Sequence, residues 1–209
     1  MYGYYGSMAD DFESLSDCFN YIHQHGELEK AGEWMRTVPT MNIIDHQLPA
    51  IIQSILENIG YPKYQFIIRG TSGAGSWCSV MYVCVFRNSP GKTKHCTTSG
   101  AYVAYLFSED CNTVHLCFML GAGTKYENTL KRQSKAIREL IDTAHFSTDA
   151  SSISLSEKNR HRYREGIICF KTYNLDKMPS EKELVDDLQD MITIQCSISE
   201  EDIRKILYS

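Results

Sequence analysis

The chain of 209 residues carries 21 Lys and Arg against 26 Asp and Glu, a formal charge of −5, with 43% apolar residues. That size and composition suit one sizeable globular domain and exclude a disordered or low-complexity chain. The acidic balance argues against indiscriminate nucleic-acid binding, which draws on Lys and Arg to neutralise phosphates. No apolar run reaches the roughly 20 residues of a membrane helix and no signal peptide is legible, so the expected compartment is the cytoplasm.

In chain order, residues 1–8 (MYGYYGSM) lack periodicity and read as a tag or a disordered start. Phe12, Leu15, Phe19 and Ile22 recur at helical spacing, predicting a helix over residues 10–25; Gly26 ends it, and a second short helix over 27–36 stops before Pro39. Together these form an expected helical annex, residues 9–40, packed on a main domain of residues 41–209. A further helix is predicted from Asp45 to Asn58, with Leu48, Ile51, Ile52, Ile55, Leu56 and Ile59 as its apolar stripe and Gly60 as its stop.

Beyond Pro62 the period drops to two. Residues 64–69, 78–86, 101–107 and 114–120 read as strands. Their connections are too short for crossover helices, so the sheet should be mainly antiparallel. Ser108 to Thr113 reads as a hairpin turn, and 87–100 as a longer polar loop. Residues 126–144 return to helical period with Leu130, Ile137, Leu140 and Ile141 inward, and a serine-rich connection leads to a fifth strand over 166–173. Ser180 with Glu183 and Ser199 with Asp202 mark the starts of two last helices. The fold class is α+β: a curved sheet of about five strands flanked by helices.

Chemistry-bearing patterns are sparse. The eight cysteines fall mostly in apolar runs without CxxC spacing and read as small buried hydrophobes, not as zinc ligands or a disulfide framework. His23 and His25, the closest histidine pair, sit at a predicted solvated helix end. The stretch GTSGAGS, from Gly70 to Ser76, lacks the Lys and Ser/Thr of a phosphate loop and joins two strands, so its glycines serve a turn or a close approach. Neither a nucleophile elbow nor a local Cys/His signature is present, and no catalytic residue, metal or cofactor is expected. Alternation places Tyr82, Cys84 and Phe86 on one sheet face and Met81, Val83 and Val85 on the other; Tyr102, Ala104 and Leu106 lie opposite Tyr105 and Phe107. A basic cluster runs from Lys158 to Lys171.

The block YPKYQFIIRGTSGAGSWCSVMYVCVF, the polar loop, GAYVAYLFSEDCNTVHLCFMLGAGT, a basic helix and YREGIICFKTYNLDKMPSEKELVDDLQDM resemble the N-terminal DNA-recognition domain of McrB-type proteins, over about Asp45 to Ile194. The resemblance implies a non-catalytic domain that binds double-stranded DNA carrying a modified cytosine, such as 5-methylcytosine, and extrudes that base into a pocket. Its partners would be the GTPase motor and nuclease subunit of a modification-dependent restriction system; Walker A and the rest of the motor are missing from this sequence. Carried over by position, the pocket falls on Tyr82, Tyr102, Leu106 and Tyr163. The DNA-contacting loop falls on Arg69, Ser72, Gly73, Ala74, Gly75, Ser76 and Trp77, with phosphate contacts from Lys92, Lys94, Lys158, Arg160, Arg162 and Arg164. Two alternatives stay open: a protein-interaction or regulatory domain whose aromatics are all core, and a binder of RNA or single strands.

Overall fold

A computed structural model describes residues 12–32, 38–88, 96–123, 126–156 and 160–208, with backbone alone for 160–162. The expected tag and the loop and linker lysines Lys92, Lys94 and Lys158 lie outside the described residues. The elements are α1 (Leu15–Ala31), α2 (Pro39–Asn42), a π-helical turn (Ile43–Gln47), α3 (Leu48–Asn58), β1 (Phe66–Gly73), β2 (Trp77–Arg87), β3 (Ala101–Phe107), β4 (Thr113–Leu120), α4 (Glu127–Arg138), α5 (Arg160–Gly166), β5 (Ile167–Asn174), α6 (Glu181–Ser197) and α7 (Glu200–Tyr208). The five strands form one sheet in chain order, every neighbour antiparallel. The α+β architecture with an open antiparallel sheet is thus as the sequence predicts.

Both faces of the sheet are apolar, and each is covered differently. On one face Met81, Val83, Val85, Val103, Tyr105, Phe107, Val114, Leu116 and Phe118 meet the buried stripes of α1, α3 and α6. Phe19 of α1 packs edge-on against Tyr105 and Phe107 at 5.4 and 5.5 Å, so the predicted annex shares this core. On the other face Val80, Cys84, Phe86, Tyr102, Ala104, Leu106, Cys117 and Met119 form a second cluster, closed by Ile153, Leu155 and Tyr163 from the segment between α4 and β5. The alternation read from sequence assigns the residues to these two faces correctly.

Several local expectations are corrected. Gly26 does not break the first helix, which runs unbroken to Ala31. Glycine costs a helix about 1 kcal/mol, but here it admits the β3–β4 hairpin: a Cβ would lie 2.9 Å from Cys111 Sγ. His23 and His25 are therefore mid-helix; His23 reaches the Cys111 carbonyl at 3.3 Å and Asp176 at 3.2 Å, and His25 stacks on Tyr21 at 4.4 Å. The helix predicted from Asp45 begins instead at Pro39, whose fixed φ suits a first turn, and passes through a π turn before α3. Helix α4 ends at Arg138, and Leu140, expected inside, lies beyond its end and is 58% exposed. The basic segment after Asn159 is helical, as α5. Ser180 and Ser199 do cap α6 and α7, accepting from Glu183 N and Asp202 N at 3.2 and 3.0 Å, yet the Glu183 carboxylate turns to Lys171 at 3.0 Å instead of closing the box.

The cover of the second face is pinned by polar contacts. Residue 147 extends the sheet beyond β5 by two bonds with Phe170, each 2.8 Å. His115 of β4, 1% exposed, sits 3.2 Å from the Ser154 carbonyl through Nε2 and 2.8 Å from Thr172 Oγ1 through Nδ1. A carbonyl only accepts, so Nε2 carries the proton and the Thr172 hydroxyl donates to Nδ1; the ring is neutral, and burial lowers its pKa. The folded value is thus below the unfolded one of about 6.5. Its contribution is fully present above about pH 6.5 and is lost as pH falls from there toward the folded value. Compared with His115→Gln, the wild type should be more stable by about 1–2 kcal/mol at neutral pH, a gap that narrows in thermal melts taken below pH 6.5. A gap constant from pH 7.5 to 5 would contradict the assignment.

Gly70 marks a closer approach. A Cβ there would stand 1.6 Å from the Ile44 carbonyl oxygen of the π turn, a backbone atom with no rotamer to yield. Gly70→Ala should destabilise by about 2 kcal/mol or more, measured by denaturant unfolding, while Gly75→Ala, with open space around its Cβ, should cost less.

Candidate functional site

The β1–β2 hairpin is built by a conflict between regular pairing and its glycines. Pairing proceeds from Phe66 with Arg87 to Thr71 with Tyr82 and then slips by a bulge before Gly73 meets Trp77. The bulged residue, Ser72, turns inward and is wholly buried. Its N–H donates to Asp45 Oδ1 at 2.7 Å and its hydroxyl to Oδ2 at 3.1 Å, so the π turn grips the root of the hairpin. Gly73 follows at φ 148°, where a Cβ would strike the Ser76 carbonyl oxygen at 1.9 Å. Only Ala74, Gly75 and Ser76 stand out in solvent.

Below this hairpin, on the second face, opens a cavity of about 230 Å³. Its lining comes from β1 (Arg69, Gly70, Thr71), β2 (Tyr82, Cys84, Phe86) and the approach to β3 (Cys96, Thr97). Two tyrosines reach Thr97 on the far wall. The Tyr82 hydroxyl bonds the Thr97 side chain, and the Tyr102 hydroxyl donates to the Thr97 carbonyl at 3.3 Å. Tyr102 itself lies beneath the cavity, 2% exposed, its ring 5.1 Å from that of Phe86. Burial raises the pKa of both phenols, and that of Tyr163 to about 12, so all three remain neutral donors at physiological pH. Cys96 is different: hydroxyls of Thr98 at 3.1 Å and Ser99 at 3.6 Å bring its thiol down to about 7, whereas burial raises the other seven. All eight cysteines are free.

Of the residues expected to form a base pocket, Tyr82 lines the cavity, while Tyr102 and Leu106 are buried in the layer around it and Tyr163, on α5, packs against the same cluster. Of the expected contact loop, Arg69 lines the cavity and Gly73 to Ser76 form the hairpin tip. Ser72 is committed to Asp45, and Trp77 packs on the opposite, helix-side core. Arg164 spends its guanidinium on the Ile153 carbonyl, donating from Nε at 3.0 Å and also from Nη2. The backbone of Arg160 and Arg162 lies in α5. Sequence reasoning missed Asp45, Thr71, Cys96 and Thr97. Thr71 becomes visible only once the β1–β2 register is known; the other three act across gaps of loop or helix that leave no periodic trace. Among the described residues no group of three or more His, Cys, Asp and Glu is placed to hold a metal ion, and no helix is long and apolar enough to cross a membrane.

An open antiparallel sheet with α1, α3 and α6 on one face and a clefted, aromatic-lined second face defines an α+β domain. The chain belongs to the MrcB-like N-terminal domain family, whose profile matches residues 26–199. No curated protein matches it significantly.

Removing the Asp45 carboxylate would leave Ser72 N–H and hydroxyl buried without partners. Asp45→Ala should cost about 2–4 kcal/mol by chemical unfolding and speed amide exchange across residues 72–76. Exchange there unchanged from wild type would show that the hairpin does not depend on this grip.

Proposed function

We propose that this domain binds double-stranded DNA containing a modified cytosine and receives the base, swung out of the duplex, in the cavity beside Tyr82. The observation that carries the reading is the cavity itself, set next to an exposed glycine hairpin in a chain of the MrcB-like family. A void of about 150 Å³ accepts a benzene-sized ring, so about 230 Å³ leaves room for a pyrimidine with a substituent. Extrusion costs a few kcal/mol of lost stacking and pairing; the Tyr82 and Phe86 rings offer about 1–3 kcal/mol per stacked base in return. A methyl group adds an apolar increment of about 0.8 kcal/mol, so selection rests on how closely the walls fit.

Charge distribution supports the same side of the molecule. Glu181, Glu183, Asp186, Asp190, Glu200, Glu201 and Asp202 belong to α6 and α7, which pack on the helix-side core, whereas Arg69 borders the cavity and the basic segment of α5 lies over the second face. The hairpin tip, Gly73 to Ser76, would enter or flank the duplex, and Arg160 and Arg162 with Lys92, Lys94 and Lys158 would meet phosphates. Cleavage and GTP hydrolysis would fall to partner modules of a restriction system, the domain itself acting as a reader in the cytoplasm.

Fluorescence anisotropy with duplexes bearing one 5-methylcytosine, hydroxymethylcytosine, N4-methylcytosine or plain cytosine tests the proposal. Wild type should prefer a modified duplex, and Tyr82→Ala should cut that preference about tenfold or more while leaving the salt-sensitive binding of plain duplex. Tyr82 is the informative position because its ring lines the cavity without being sealed in the core. Equal affinity for all four duplexes, or tighter binding to single strands, would sink the proposal.

A further inference from the structure

Strand β1 presents one uncommitted hydroxyl to the cavity, that of Thr71. Along the last residues of the strand Gly70 faces the Ile44 carbonyl and Ser72 faces the Asp45 carboxylate, both on the helix side, so Thr71 between them points to the second face. Its register partner is Tyr82, and side chains directly opposite in an antiparallel pair stand beside each other on one face. Both line the cavity, and Thr71 is half-buried there. The other polar side chains of the lining are engaged: the Tyr82 hydroxyl meets the Thr97 side chain, Cys96 Sγ lies against the Thr98 and Ser99 hydroxyls, and Arg69 has a partner of its own. The Thr71 hydroxyl makes no hydrogen bond among the described residues.

A base that leaves the duplex gives up the pairing partner of its ring nitrogen, carbonyl and amino group, and polar groups carried unpaired into a closed site oppose binding. Stacking on Tyr82 and Phe86 does nothing for that edge. A hydroxyl can donate or accept, and this one stands next to the ring on which the base would stack. From this placement we infer that Thr71 is a specificity-determining residue, its hydroxyl hydrogen-bonding the polar edge of the extruded base and disfavouring a ring of equal shape that lacks such an edge. The inference rests on the base-cavity reading above. A site that pairs a polar group rejects the analogue lacking it more strongly than an apolar wall senses one methyl, so the two kinds of selection are separable in the same cavity.

The experiment compares three duplexes identical but for one position opposite guanine: 5-methylcytosine, cytosine, and difluorotoluene, a methyl-bearing ring of pyrimidine shape without a strong hydrogen-bonding edge. Each duplex keeps its own extrusion cost whichever protein binds, so the change in affinity ratio between wild type and variant isolates the wall. Thr71→Val exchanges the hydroxyl for a methyl and keeps the branched shape that suits a strand, so its thermal melt should match wild type. It should bind the 5-methylcytosine duplex about five- to tenfold more weakly and the difluorotoluene duplex as wild type does. Thr71→Ser, which retains the hydroxyl, should keep most of the wild-type ratio between the two. A 5-methylcytosine to difluorotoluene ratio unmoved by Thr71→Val, or a loss shared equally by both duplexes, overturns the role of Thr71, while a persisting wild-type preference for 5-methylcytosine over cytosine keeps the cavity. Loss of that preference in the wild type would instead overturn the cavity reading, and this inference with it.

Discussion

The sheet of this domain is apolar on both faces, and everything else follows from how each face is kept from water. An amphipathic antiparallel sheet needs one cover; this one needs two. Helices α1, α3 and α6 supply the first, burying side chains as large as Phe19, Tyr105 and Phe118 completely. The second is a thin cover, residues 147–156 and 160–166, in which the described residues form a 3-10 turn and the short α5. Ile153, Leu155 and Tyr163 pack it on the sheet, and polar anchors add the strand-like bonds of Ser147 and the neutral His115 under Ser154, while Arg164 on Ile153 ties the cover to itself. These anchors lie toward β4 and β5. The corner made by β1 and β2 is left partly open, and the cavity occupies that corner.

How much of this was legible in the sequence depends on the range of the interaction. Period-two alternation separated Tyr82, Cys84 and Phe86 from Met81, Val83 and Val85, and Tyr102, Ala104 and Leu106 from Tyr105 and Phe107, because the face of a strand residue is fixed by local geometry; the strand register joins the first set of each on one face. Serine caps of α6 and α7 were readable for the same reason. Gly26 misled because local propensity penalises glycine in a helix, while the gain comes from Cys111, far along the chain, pressing on the vacated space. The Asp45 to Ser72 grip is likewise a contact between distant segments, invisible to any window of neighbouring residues. Leu140 misled in the opposite sense: its spacing fits the stripe of α4, but the helix has ended before it.

Tyrosine on the second face carries more structural duty than its stacking capacity suggests. A buried hydroxyl needs a partner, and Tyr82 and Tyr102 find theirs on one residue, Thr97. The strand aromatics thereby determine where the loop returning to β3 must run, and that loop closes the cavity. Phenylalanine at either position would fill the same space and leave the wall without its fastening. The family resemblance placed these rings in the site by position; the structure adds that the Tyr102 oxygen holds the Thr97 carbonyl of the loop that borders the cleft.

Fixed and free parts of the site are separated along the β1–β2 hairpin. Its root is held by the Asp45 carboxylate and by the contact of Gly70 with the Ile44 carbonyl, and the cavity is lined by the edge strand β1 and by β2, which is paired on both sides. The tip, Ala74 to Ser76, projects without packing. On the function proposed above, a reader of single bases would benefit from this division. Discrimination by about one methyl group requires walls that do not relax, since a wall able to shift accepts the smaller base equally well. Contact with a duplex of varying sequence instead favours a short, adaptable tip carrying no bulky side chain, such as Ala74 provides. The hairpin glycines separate the two parts within five residues: Gly73, at its positive φ, ends the paired ladder, and beyond it Ala74, Gly75 and Ser76 stand in solvent.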